Sequence, residues 1–224
     1  MSDYNFNIEL KQDFAINQDV DLVFNSASGL LFMRTGTAEA IRNNSKFLFS
    51  EESQEYINLL AGFRDPVMKA YVKKFSVDGW TPSQAQLSCF RKIDENGGPY
   101  EVGSLILDDQ WSNNSKDILH VVGMTYYLKN NELKTTKVSE KSLISVLKKA
   151  FKFADAKGYK TIATPVLCTR GDYGLDPEKS LNSILKAVEL AKPVNLTELY
   201  ICFESEGPRA TFEKLEDEVL DQFF

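Results

Sequence analysis

Two short runs constrain this chain most: Asp21 to Asn25 (DLVFN) and Lys160 to Leu167 (KTIATPVL). Neither alternates cleanly between apolar and polar residues, which is the pattern of strands buried on both faces. Such strands need cover on two sides, and the first reads as ending in a polar turn, Ser26-Ala27-Ser28-Gly29. The cover is visible in the sequence as amphipathic helices. From Ser139 to Ala156, Leu143, Val146, Leu147, Ala150, Phe151 and Ala154 fall on one helical face, and Gly158 ends the segment. Asp176-Pro177 opens a second helix with Leu181, Ile184, Leu185 and Val188 inward. Phe6, Ile8 and Leu10 alternate as an opening strand, and Thr197 to Phe203 forms a closing one. Strand–helix alternation of this kind predicts an α/β fold, a mixed sheet with helices on both faces.

The middle of the chain changes character. Between Ser50 and Arg91 the signals are helical: Ser50 as a cap, Asp65-Pro66 as a cap with proline at the first helical position, and Thr81-Pro82-Ser83-Gln84 as a Thr-x-x-Gln capping box. Lys92 to Pro99 is a turn cluster. Strand-like runs follow at Glu101–Leu107 and Ile118–Tyr127 around a polar loop, and Pro208–Phe224 reads as a terminal amphipathic helix. The 224 residues fit one domain, 1–224, with a helical insertion at about 50–98.

Composition excludes several classes. With 26 basic and 32 acidic residues the net charge is −6, so no general basic field favours binding to a nucleic acid backbone. The chain has no run near the ~18 apolar residues of a membrane span, and its first residues lack signal-peptide character. Cys89, Cys168 and Cys202 have no CxxC spacing, and His120 is the one histidine, so the spacing predicts neither zinc site nor cofactor. A reducing, cytoplasmic compartment is expected.

Ligand chemistry in such a sheet belongs at strand carboxyl ends, where loops enter helix N-termini that favour phosphate. Two loops qualify. One is Met33-Arg34-Thr35-Gly36-Thr37-Ala38, leading into Glu39-Ala40-Ile41; the other is Cys168-Thr169-Arg170-Gly171-Asp172-Tyr173-Gly174. Glycine permits close backbone approach to an anion and positive φ. Neither loop is a GxxxxGK[ST] phosphate loop, and the chain has no GxGxxG. The other reading of each is an ordinary surface turn.

Set in order, the segments resemble the macro domains, a family that binds ADP-ribose. Asp21-Leu22-Val23-Phe24-Asn25-Ser26-Ala27-Ser28 is similar to the family's D-A-I-V-N-A-A-N strand. Thr35 to Ile41 resembles its glycine run entering G-V-A-x-A-I. Glu101-Val102-Gly103-Ser104 with Ile118 to Gly123 resembles its G-x-A-x-x-T and I-I-H-A-V-G strands, and Ile162 to Pro165 with Tyr173-Gly174 its I-A-F-P-x-I-S-T-G-x-Y-G segment. The likeness covers about 6–49 and 100–205.

It implies a three-layer α/β/α domain and particular roles. Asp13 is the implied acceptor for the adenine amino group and Phe203 the aromatic beside adenine. Asn25, Ser28, Gly36, Thr37, Ala38, Thr169, Arg170, Gly171, Asp172 and Tyr173 are the implied contacts to pyrophosphate and distal ribose. His120 has a structural role in that pattern.

Departures are equally specific. Ser28 stands where the family has its second strand-end asparagine. Arg34 and Thr35 replace two glycines, and Ala38 replaces the aspartate of the family's best-known hydrolases. Asp172 and Glu39 are the remaining carboxylates that fit a general base. Three functions are therefore weighed. The first is binding of ADP-ribose, a derivative, or an ADP-ribosylated protein. The second is hydrolysis of ADP-ribosyl-protein, O-acetyl-ADP-ribose or ADP-ribose 1″-phosphate. The third is an interaction protein that kept the fold and lost the pocket, with the helical insertion as its working surface; Trp80 in the insertion and Trp111 in a polar loop are candidates for a partner surface or a lid.

Overall fold

Buried along most of its length, β2 (Leu22–Ser28) lies inside a mixed seven-stranded sheet. The computed structural model describes residues 6–49, 51–112, 116–169 and 174–203. The strand order is β1 (Asn7–Lys11), β7 (Glu198–Cys202), β6 (Thr161–Pro165), β2, β4 (Asp117–Lys129) and β3 (Leu105–Asp108). A further strand, β5 (Glu132–Lys137), pairs with the distal half of β4. Strands β1, β7, β6, β2 and β4 are parallel, which sets their carboxyl ends along one edge; β3 and β5 run antiparallel to β4.

Side-chain alternation divides the core in two. Leu22 and Phe24 of β2, Leu119 and Val121 of β4, and Leu199 and Ile201 of β7 pack beneath α5 (Glu140–Lys157) and α6 (Pro177–Ala191). Val23, Ala27, Ile118, Val122 and Ala163 point the other way. They share a core with α1 (Gly36–Asn44), α2 (Glu51–Gly62), α3 (Pro66–Phe75) and α4 (Gln84–Glu95). Helices cover both faces, as the doubly buried strands require.

Local chemistry explains most boundaries. Asp65 accepts from Val67 N and Met68 N at 2.8 and 2.9 Å, and Pro66 follows it. Ser139 and Ser142 form a reciprocal capping box at the start of α5, and Gly158 ends it at φ 81°. Asp176 caps α6 through Glu178 N.

Four boundaries differ from the sequence reading. Helix α4 is capped by Ser83, which accepts from Gln86 N, and not by Thr81. Strand β2 continues through Ser26–Ser28, expected as a turn, because its backbone goes on pairing with β4. Strand β3 begins only at Leu105, after Gly103 at φ 92° breaks the extended run. Strand β5 was not anticipated: it is largely solvated and has no apolar face to announce it. Its one local signal is the Asn130-Asn131 pair, whose φ values of 53° and 61° make the hairpin turn. The Ser50 cap and the Pro208–Phe224 helix lie outside the described residues. No described helix is long and apolar enough to cross a membrane.

Candidate functional site

The carboxyl end of β2 opens into a cleft of about 580 Å³, its open mouth included. Its position follows from the local backbone. Ala27 pairs with Val122 but Ser28 pairs with Met124, a bulge that turns the strand end out of the sheet. Gly29 then bonds back to Met124 O, and Leu31 takes φ 50°. The chain from Leu31 to Thr35 forms one wall, Asn25 to Ser28 and His120 contribute the strand side, and Tyr71 of α3 and Tyr126 of β4 also line the cleft.

Gln86, buried on α4, holds this wall by both ends of its amide. Met33 N donates to Gln86 Oε1 and Gln86 Nε2 donates to Leu31 O, each at 3.3 Å. Phe32 stacks on Tyr71 with ring centroids 4.7 Å apart and planes 5° apart. Arg34, also in the lining, rests its guanidinium 4.2 Å from the centroid of Phe75. Thr35 precedes α1 without capping its first turn by its side chain, and Gly36 enters the helix at φ 64°. A cation and a helix N-terminus thus adjoin one cleft, an arrangement suited to an anion.

The stem of the second loop is anchored on β2. Cys168 N donates to Ser26 Oγ at 3.2 Å, Thr169 Oγ1 donates to Val166 O, and Leu175 N closes the loop on Cys168 O.

A family model described as Macro domain matches residues 79–184. The solved Oceanobacillus iheyensis macrodomain with ADP superposes with a TM-score of 0.63 at 15% identity, covering 98% of this chain and 94% of that one. The Trypanosoma brucei macrodomain in complex with ADP-ribose gives 0.58 at 16% identity, covering 93% of this chain and 68% of that one. This is the macro-domain fold. A Thermus aquaticus macrodomain, that of DarG, is more distant at 0.51 and 14% identity, covering 89% and 99%. No curated protein matches the chain.

Within this macro fold the residues singled out from sequence fall into separate groups. Asn25, Ser28 and Ala38 line the cleft, and Gly36 and Thr37 form the first turn of α1 beside it. Asp13 sits past the end of β1, exposed. Its carboxylate accepts from Phe14 N and Asn17 Nδ2 at 2.7 Å and from Gln18 Nε2 at 3.2 Å. Phe203, bonded by its N–H to Lys11 O, is only 3% exposed and packs in the core beneath α5 and α6. Glu39 is paired with Arg42 at 3.2 Å and is not in the cleft lining. Thr169 is at the stem of the second loop, while Arg170, Gly171, Asp172 and Tyr173 lie outside the described residues.

Arg34, Gln86, Tyr71 and Tyr126 were missed. Arg34 was named only within the first loop and in place of a family glycine, not as a contact of its own, and the other three come from segments with no ligand-like motif.

Trp111 is a core residue, 1% exposed, with Nε1 donating to Lys116 O. Trp80 is partly buried against the core, with Arg42 4.8 Å above its ring.

Cys168 is 2% exposed, and burial pushes its thiol up to about 12, a hydrogen bond with Ser26 opposing the shift. At pH 8 that leaves about one thiolate in 10⁴, so a nucleophilic role for Cys168 is disfavoured. All three free cysteines are buried. Iodoacetamide at pH 8 is expected to label none of them in the native chain and all three in guanidinium. Prompt native labelling of Cys168 would contradict this reading.

A second polar group lies beneath the cleft. Asn25 and His120 are register partners on neighbouring strands, with Asn25 Nδ2 2.9 Å from His120 Nδ1. Asp108 lies one diagonal step away on β3 and Cys89 faces the pair from α4. His120 Nε2 is 3.6 Å from Asp108 Oδ2 and 3.7 Å from Cys89 Sγ. Burial raises the Asp108 carboxyl, but His120, Ser88 and Lys92 together hold it below its ordinary range; burial, then the Asp108 charge, push the Cys89 thiol well up.

Proposed function

We propose that this chain binds ADP-ribose or an ADP-ribose derivative, with the pyrophosphate and distal ribose in the cleft at the end of β2. The observation that carries the reading is the joint placement of Arg34, Gly36 and the α1 N-terminus around that cleft. The fold supports it: the Oceanobacillus iheyensis and Trypanosoma brucei macrodomains are solved with ADP and ADP-ribose respectively. Asp13 and Ser28 end strands three places apart in the sheet order. At ~4.8 Å per strand that separation is about 14 Å, so only a ligand with two distant recognition points engages both. Asp13 takes the adenine end in this reading, exchanging one of its local donors for the amino group. Thr169, at the stem of the second loop, supplies a further contact to the pyrophosphate in this reading.

Binding without hydrolysis is favoured by one specific feature. Glu39, a carboxylate proposed as a base, is committed to Arg42 and turned from the cleft lining, and Ala38 has no group to position water. We also propose that the helical block at about 50–98 is an insertion whose α3 and α4 supply Tyr71 and Gln86 to the wall.

Calorimetric titration tests the reading. ADP-ribose is expected to give a saturable signal and AMP a much weaker one. Arg34→Ala removes a charged donor worth about 1.5–3 kcal/mol, so affinity is expected to fall roughly 10- to 100-fold. Gly36→Val, a β-branched residue forced to positive φ, is expected to abolish the signal. No heat from the wild-type chain at high ligand concentration would sink the proposal.

A further inference from the structure

We propose that Cys89, Asp108 and His120 form a buried site for one divalent transition metal, of which zinc fits best. The three come from α4, β3 and β4, and their ligand atoms (Sγ, a carboxylate oxygen and an imidazole nitrogen) lie within 4.8 Å of one another. All three side chains are buried.

The spacing fits a metal site, although Cys89 Sγ and His120 Nε2 are also within hydrogen-bonding reach for sulfur. His120 Nε2 stands 3.6 Å from Asp108 Oδ2 and 3.7 Å from Cys89 Sγ. The first is too long for a good nitrogen–oxygen hydrogen bond. For tetrahedral zinc, with Zn–S of about 2.3 Å and Zn–N and Zn–O of about 2.0–2.2 Å, adjacent ligand atoms are separated by about 3.3–3.6 Å. The two separations from His120 are close to tetrahedral edges, and the third, between Cys89 Sγ and the carboxylate, is within 4.8 Å.

Asp108 is oriented for the task. Its Oδ1 accepts from Ser88 Oγ at 2.6 Å and from Gln110 N at 3.1 Å. Its Oδ2, fully buried, has no hydrogen-bond partner and faces His120 and Cys89. A buried carboxylate oxygen left bare is costly unless a cation meets it. The same holds for Asn25, whose Oδ1 is buried and unpartnered while Nδ2 faces His120 Nδ1. Turning the Asn25 amide over sets Oδ1 against an Nδ1–H, which leaves the Nε2 lone pair free toward the other two ligands. That is the outer-shell arrangement metal-bound histidines use.

Charge closes the account: thiolate, carboxylate and neutral imidazole balance one divalent ion. On binding, Cys89 releases its thiol proton to solvent and no redox change occurs. Three protein ligands leave a fourth position for a solvent oxygen. The ion pins α4, and so the helical block, to the sheet directly under the floor that Asn25 and His120 give the cleft. Separations along the sequence hide the site, since its ligands are 12 to 31 residues apart on three elements.

The test uses the full chain purified without chelators. Elemental analysis is expected to find about one equivalent of zinc, and a strong chelator to lower the unfolding temperature. Cobalt added to the stripped chain is expected to give a thiolate-to-metal charge-transfer band. The band is expected to vanish in Cys89→Ala and persist in Cys202→Ala, and Asn25→Ala is expected to weaken cobalt affinity about 10- to 100-fold. Metal at background in the purified chain together with no charge-transfer band overturns the proposal, and so does a band that survives Cys89→Ala. Should Cys89→Ala not fold, wild-type zinc content and the wild-type cobalt band decide the matter.

Discussion

Gly29→Ala is expected to destabilise the protein by about 3 kcal/mol, the upper end of the usual range for overpacking. The position offers no room. An alanine Cβ would overlap the carbonyl oxygen of Tyr100 and Thr125 Oγ1, both inside the 3.0 Å that real Cβ contacts respect. Neither neighbour can retreat cheaply. Gly29 N donates to Met124 O at 2.7 Å and Gly29 O accepts from Tyr100 N at 2.8 Å, so backbone is tied to backbone on both sides. Thr125 belongs to β4 where it pairs with β5. The strain therefore falls on the point where β2 leaves the sheet, where the chain entering β3 crosses it, and where the cleft begins. Urea unfolding is expected to show a lowered midpoint with an unchanged slope. A loss under about 1 kcal/mol would mean the crossing yields more readily than its hydrogen bonds suggest.

Gly29 also shows what sequence could and could not reveal. Its place in a polar turn after a buried strand was readable, yet the turn was placed too early. The backbone of Ser26–Ser28 prefers to go on pairing with β4, and no local signal opposes that pairing. Capped helices were legible because their chemistry is local: Asp65, Ser139 and Asp176 bond amides two or three residues away. The β5 hairpin was not, since Leu133 is the one apolar residue of its strand to reach the core, too little to make a burial pattern.

The candidate site divides in the same way. Ser28, Gly36 and Ala38 could be found because they lie on one continuous stretch, from the end of β2 into α1. Gln86 clamps that loop from 53 and 55 residues away, and only the fold brings it there. The three cysteines and His120 carry no metal-site spacing, and nothing in the sequence draws Asp108 to His120 and Cys89. Spacing is informative when ligands share a loop or helix, and silent when strand register brings them together. The register pairs Ile106 with His120 and Asn25 with His120, which places Asp108 one diagonal step off on the same face.

The largest loss of stability is expected at Phe90, where the helical block joins the sheet. Phe90 is fully buried and touches three aromatic rings: Phe32 at 5.2 Å, Tyr56 at 5.0 Å and Phe63 at 5.4 Å between centroids. Tyr56 comes from α2, Phe63 from the turn after it, and Phe32 from the cleft wall itself. Phe90→Ala is expected to cost about 3–5 kcal/mol in urea unfolding, since the cavity opens among rings held by separate elements. The effect should reach the ligand site. Phe32 continues from Phe90 to Tyr71, and Tyr71 meets Tyr126 at 5.0 Å, so the aromatic chain runs from the block's core to the cleft lining. The milder Phe90→Leu keeps the chain folded and isolates that coupling. Combined with Phe32→Leu, it is expected to give an interaction energy of about 0.5–1.5 kcal/mol in a double-mutant cycle on stability. Phe90→Leu alone is expected to weaken ADP-ribose binding measurably, because the wall from Leu31 to Thr35 loses its support. Strict additivity in the cycle, with unchanged affinity, would show that the helical block stabilises the fold without shaping the cleft.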